Sequence, residues 1–199
     1  FDEKDTGEQE IKKKLNDLLS KIECFAPSNW AKIHDKLNSG MIGTCLTSKD
    51  CYRIGFIKVL IDKAKESNIH FAKDGNHFYV YNNQYWIKIS EDLLKSFLHM
   101  AAQKMGIPIG LSICVKFIKS TYEQLIESGF FEKMVQSNVT HLNVLNGTIN
   151  IDLDGVKLVN FDSKHFLTHQ LDFEYDKNRV NQVWLDFLNK VLPDKDTQK

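Results

Sequence analysis

With 199 residues, 42% hydrophobic and 26% charged, the chain can bury a real core and lacks the composition of a disordered polymer. Its formal net charge is zero, which argues against a strongly basic nucleic-acid binder. No apolar run approaches the ~20 residues a membrane-spanning helix needs, and the acidic opening is not a signal peptide.

The neutral total hides a gradient. Residues 1–10 hold one Lys against five acids, residues 11–66 eleven Lys/Arg against six, residues 67–140 seven against six, and residues 141–199 seven against nine. A basic N-terminal third can face phosphates, and a solvated Lys-rich surface would give the same count. Cys24, Cys45, Cys51 and Cys114 fit no C-x-x-C spacing, so reduced thiols and a cytoplasmic setting are expected. The chain opens on Phe1 rather than Met and reads as a piece of a longer protein.

Residues 1–8 are acidic and expected to fray. From Gln9 to Phe25, Ile11, Leu15, Leu18, Leu19 and Ile22 recur at helical spacing. Pro27 is expected to end that helix and Ser28 to cap the next, which carries Trp30, Ile33 and Leu37. Asn38–Thr44 holds two glycines and reads as a loop. Thr47 or Ser48 opens a longer helix to about Glu66. The period then changes to that of strands over Ile69–Lys73, His77–Asn82 and Gln84–Ile89, with turns at Asp74-Gly75 and Asn82-Asn83.

Ser90, Glu91 and Asp92 open a helix that Gly106 stops, and a further helix is predicted over Ser112–Gly129. Phe130–Val139 fits neither period. Short strands follow at Leu142–Leu145, Thr148–Leu153 and Val156–Val159, joined by Asn146-Gly147 and Asp154-Gly155, both strong hairpin signals. Phe166–Gln170 reads as another strand. An amphipathic helix over Val180–Leu192 carries Val183, Trp184, Phe187, Leu188 and Val191, and Pro193 with the polar residues to Lys199 reads as a linker. The fold class is α+β, comprising a helical N-terminal part, a three-stranded aromatic meander, two further helices, short β-hairpins and a C-terminal amphipathic helix.

Motifs of catalysis fail one by one. Gly40, Gly43 and Thr44 approach a phosphate-binding loop, but no Lys follows Gly43, and neither G-x-G-x-x-G nor G-x-S-x-G occurs. His165 and His169 share one face at i, i+4 without the rest of a zinc motif. Asp152 and Asp154 resemble a two-metal carboxylate pair, yet Asp154-Gly155 is also what a tight turn wants. No catalytic residue, metal site or cofactor is expected in these residues.

Binding surfaces remain. Phe78, Tyr79, Tyr81, Tyr85 and Trp86 crowd the meander, and alternation sends Tyr79 and Tyr81 to one face and Phe78 and Val80 to the other. Tyr81 and Trp86 can stack single-stranded bases at ~1–3 kcal/mol each, or serve as core. Lys49 and Arg53 are helix neighbours at i, i+4, and Lys116 and Lys119 share a later face. All four are candidate phosphate contacts.

Two stretches carry a resemblance. One is Asp74-Gly75-Asn76-His77-Phe78-Tyr79-Val80-Tyr81 with Gln84-Tyr85-Trp86. The longer one starts at Leu145-Asn146-Gly147-Thr148-Ile149-Asn150-Ile151, passes Phe161-Asp162, His165-Phe166-Leu167-Thr168-His169-Gln170-Leu171 and Asp172-Phe173-Glu174-Tyr175-Asp176, and ends in Trp184-Leu185-Asp186-Phe187-Leu188. Together they resemble the N-terminal domain of phage/plasmid-type and poxvirus-type primase-helicases. The resemblance implies a non-catalytic domain at residues 67–192, preceded by the basic helices of 1–66. Residues 193–199 would lead towards a superfamily III motor that needs ATP and Mg. It also implies protein partners, namely that motor and neighbouring subunits of a ring, with DNA a further expected contact and no membrane. The competing reading is a stand-alone DNA-binding protein using the basic N-terminal helices.

Overall fold

A computed structural model describes residues 3–39, 46–75, 77–127 and 139–191. Residues 40–44 of the expected Asn38–Thr44 loop with Cys45, the stretch from Phe130 to residue 138, and the expected linker of residues 193–199 lie outside them. Seven helices and two antiparallel three-stranded sheets occur among the described residues, in an α+β arrangement. The order is α1 (Glu3–Lys21), α2 (Pro27–Asn38), α3 (Ser48–Glu66), β1 (Phe71–Asp74), β2 (His77–Tyr81), β3 (Trp86–Ile89), α4 (Glu91–Lys104), α5 (Ile109–Ser112), α6 (Val115–Glu127), β4 (Thr140–Val144), β5 (Gly147–Asp152), β6 (Gly155–Val159) and α7 (Gln182–Val191).

Local chemistry sets most boundaries. The Thr47 hydroxyl accepts the Asp50 N–H and caps α3, and the Ser90 hydroxyl accepts the Leu93 N–H and caps α4. Lys104 Nζ reaches back to the carbonyls of Leu19 and Ser20, satisfying orphan acceptors at the C-terminal end of α1.

Four expectations are corrected. The first helix ends at Lys21 rather than Phe25, and Ser28 does not cap the second. Pro27 is itself the first helical residue there, where its missing N–H costs nothing. The helix predicted from Ser112 begins instead at Val115, where the Cys114 carbonyl starts α6 by accepting from Phe117 and Ile118, and Ser112 ends the separate short α5. Phe166–Gln170 is not a strand. A 3-10 turn at Ser163–His165 precedes it, and Phe166 adopts φ 51°, a left-handed conformation that ends any extended run.

One apolar core spans most of these elements. It takes Ile11, Leu15 and Leu18 from α1, Phe56, Leu60 and Ala64 from α3, and Phe97, Leu98 and Ala101 from α4. Phe117 and Leu125 of α6 close it, and Phe78, Val80 and Ile89 supply one face of the meander. This core crosses residue 66, so the basic helices and the residues after them bury side chains against one another. The opposite face of the meander has its own small core of Ala72, Tyr81 and Trp86, with Tyr79 and Phe166 packed against it. The second sheet has the order β4-β5-β6.

Candidate functional site

The loop between β6 and α7 joins the two sheets. The Trp86 N–H donates to the Leu167 carbonyl at 2.7 Å, and the Trp86 indole N–H to the Ser163 carbonyl at 2.8 Å. Phe166 stacks on Trp86 with centroids 5.2 Å apart and planes 6° from parallel. Further on, Leu171 N–H donates to Asn143 and Leu145 N–H to Phe173, so residues 171–173 cover the edge of β4. The Asn143 side chain bridges the sheets by donating to the Gln84 carbonyl.

That geometry places Tyr81 and Trp86, the candidate stacking residues, inside the molecule. Trp86 is 1% exposed and Tyr81 6%. Phe166 occupies the ring face a base would need. Burial pushes the Tyr81 hydroxyl up to about 12, with the Asp162 carboxylate adding to the shift. A hollow of about 10 Å³ beside Trp86 and Phe166 has room for about one water, not a base.

The basic candidates are partly gathered. Lys49, near the start of α3, and Lys116, near the start of α6, both act on the Cys114 thiol. That thiol is held below its ordinary value chiefly by the Phe117 N–H donating to it, and further by the Lys116 N–H and the two ammonium groups. Arg53 pairs with Asp50 at 2.9 Å, which half-neutralises it. Lys119 is exposed on α6.

The acid pair has a local role, since Asp152 Oδ1 accepts the Asp154 N–H at 2.9 Å and shapes the hairpin turn. His165 does not face its i, i+4 neighbour. It stacks on His141 of β4 at 4.4 Å, while His169 is exposed. Among the described residues no group of three or more His, Cys, Asp or Glu is placed to hold a metal ion, and no helix is long and apolar enough to cross a membrane.

Asn146, read in the sequence as a turn former, does more. Its side-chain amide donates to the Tyr175 carbonyl at 2.9 Å and accepts the Tyr175 N–H at 3.0 Å, a strand-like clamp on the covering segment. Asn146→Ala should cost about 1 kcal/mol by removing both bonds. Hydrogen exchange should show faster opening at Tyr175 with the core of α3 and α4 unchanged; equal protection at Tyr175 would refute the clamp.

Two apolar faces stay open. Along β4-β5-β6, Leu142, Ile149 and Leu158 lie abreast, as do Ile151 and Val156, and all but Ile149 are exposed. On α7, Val183, Trp184, Phe187 and Val191 are each half exposed or more, and none of its residues is buried. Contiguous apolar surface of this kind marks interaction sites.

The family model described as "D5 N terminal like" matches residues 58–193. The chain belongs to this family. It is the N-terminal domain of phage/plasmid and poxvirus primase-helicases, so these residues are a replication domain associated with a primase-helicase. The match takes in the end of α3, both sheets, the joining loop and α7. No curated protein matches the chain.

Proposed function

We propose that this domain is a non-catalytic docking element that precedes a superfamily III helicase motor and supports assembly of that motor into a ring. The observation that carries the reading is the exposed stripe of Val183, Trp184, Phe187 and Val191 on α7, a helix with no burial of its own. A helix with no fully buried residue contributes little to the fold, so its apolar side chains are accounted for by a protein partner. In this reading residues 67–192 form the family-type domain, residues 1–66 precede it as basic helices, and residues 193–199 lead to the motor. ATP and Mg belong to the motor, and the setting is cytoplasmic.

The test uses a polypeptide carrying this chain together with its motor. Trp184→Ala/Phe187→Ala should weaken subunit association and lower ATP hydrolysis at limiting protein at least tenfold. In the 199-residue chain the same pair should shift stability by no more than about 0.5 kcal/mol, because neither side chain is buried. Unchanged association, or ATP hydrolysis by the 199 residues alone, would overturn the reading.

DNA engagement by the basic helices, whether within such a protein or by a stand-alone binder, is a second reading. It is favoured by Lys49 of α3 and Lys116 of α6 both acting on the Cys114 thiol. Single-stranded DNA binding should then fall steeply with salt, and Lys49→Ala/Lys116→Ala should flatten the salt slope by about two. Salt-insensitive binding, or none, counts against it.

A further inference from the structure

We propose that the stacked imidazoles of His141 and His165 form a proton-operated joint, which holds the loop of residues 160–171 across both sheets when His165 is neutral and releases it when His165 takes up a proton. The geometry is specific. The rings lie 4.4 Å apart and 24° from parallel, one on β4 and the other closing the 3-10 turn. His141 Nδ1 lies 2.7 Å from the Asn150 side-chain oxygen, which fixes the ring against β5. His165 Nδ1 is buried and has no hydrogen-bond partner among the described residues. A second proton on His165 would enter a site with no acceptor, face to face with the His141 ring.

The surrounding charges do not cancel this. Asp162 favours protonation of His165, but one of its oxygens already accepts the Lys164 N–H. From β6, Lys157 stands on the same sheet face as His141, abreast of Asn150, and adds a like charge. From the meander, Tyr81 shares the field of Asp162 and stays neutral. Burial is the main cause that holds His165 below its usual value, and His141 is the next.

The sign follows from linkage. With the folded value below the ordinary 6.5, the unfolded or released state binds more protons as pH falls beneath 6.5, so the closed loop loses stability there and gains nothing above it. The loop is also the part whose release would be visible, since Phe166 is stacked on Trp86 and Ser163 accepts the indole N–H.

The test follows near-ultraviolet circular dichroism and tryptophan fluorescence of the 199-residue chain from pH 7.5 to 5.0, with far-ultraviolet signal as the control for global unfolding. The expected result is a reversible loss of the tryptophan signature with a midpoint below 6.5 while helix content persists. His165→Gln should abolish the transition, and His141→Gln should move its midpoint up towards 6.5. His169→Gln, an exposed histidine of the same loop, should leave it in place. A flat wild-type profile would overturn the joint. So would a transition with the same midpoint in His165→Gln or His141→Gln. Should His165→Gln fail to fold, the shift in His141→Gln decides alone.

Discussion

Trp86→Ala is expected to lower the unfolding free energy by about 4 kcal/mol. The side chain is 1% exposed and packs against Tyr81 and Phe166. Truncation removes its apolar contacts, leaves a cavity between the meander and the joining loop, and strands the Ser163 carbonyl that the indole N–H now satisfies. Against a total stability of about 5–15 kcal/mol, such a loss unfolds a visible fraction of the chain. Urea denaturation followed by far-ultraviolet circular dichroism measures it. A change under about 1 kcal/mol would mean the second core is open, and would return Trp86 and Tyr81 to consideration as a platform for bases.

Gly147→Val is expected to cost roughly 3 kcal/mol and to open the second sheet before the first. Gly147 has φ 150°, and a Cβ there would sit 2.5 Å from the Val159 carbonyl oxygen and 3.1 Å from Leu158 Cδ1. The nearest clash is with backbone of a paired strand, which cannot rotate away as a side-chain tip would. Gly155, at φ 120° with nothing within 4 Å of its would-be Cβ, separates the two costs. Gly155→Ala pays conformational strain alone and should cost less. Residue-level hydrogen exchange distinguishes them, since in Gly147→Val the amides of β4, β5 and β6 should lose protection while those of α3 and α4 keep theirs. Equal costs at the two glycines would show that backbone conformation, and not the close approach to Val159, makes position 147 special.

The sequence by itself determined what is local. The cap at Thr47, the period of α3, the turns at Asn146-Gly147 and Asp154-Gly155, the aromatic meander and the amphipathic stripe of α7 all depend on residues within a turn or a strand of each other. The family, too, was legible from the ordered segments between Asp74 and Leu188, because short motifs in a fixed order survive without any knowledge of contacts.

Tertiary structure alone decided what the exposed-looking groups are for. Nothing around Tyr81 or Trp86 in the sequence says that Phe166 will cover them, because stacking across two sheets leaves no mark in local periodicity. The run Phe166–Gln170 has the composition of a strand. The Leu167 carbonyl accepts the Trp86 N–H on the flank of β3, the Gln170 side-chain amide donates to the Val144 carbonyl, and Phe166 sits at a positive φ that no residue preference announces. His165 seemed to belong with His169, yet it pairs with His141 because β4 and the 3-10 turn meet only in the folded chain. Amphipathy marked α7 as a helix with something to bury, but what it buries against depends on a second surface, and periodicity within one helix encodes only its own side of that contact.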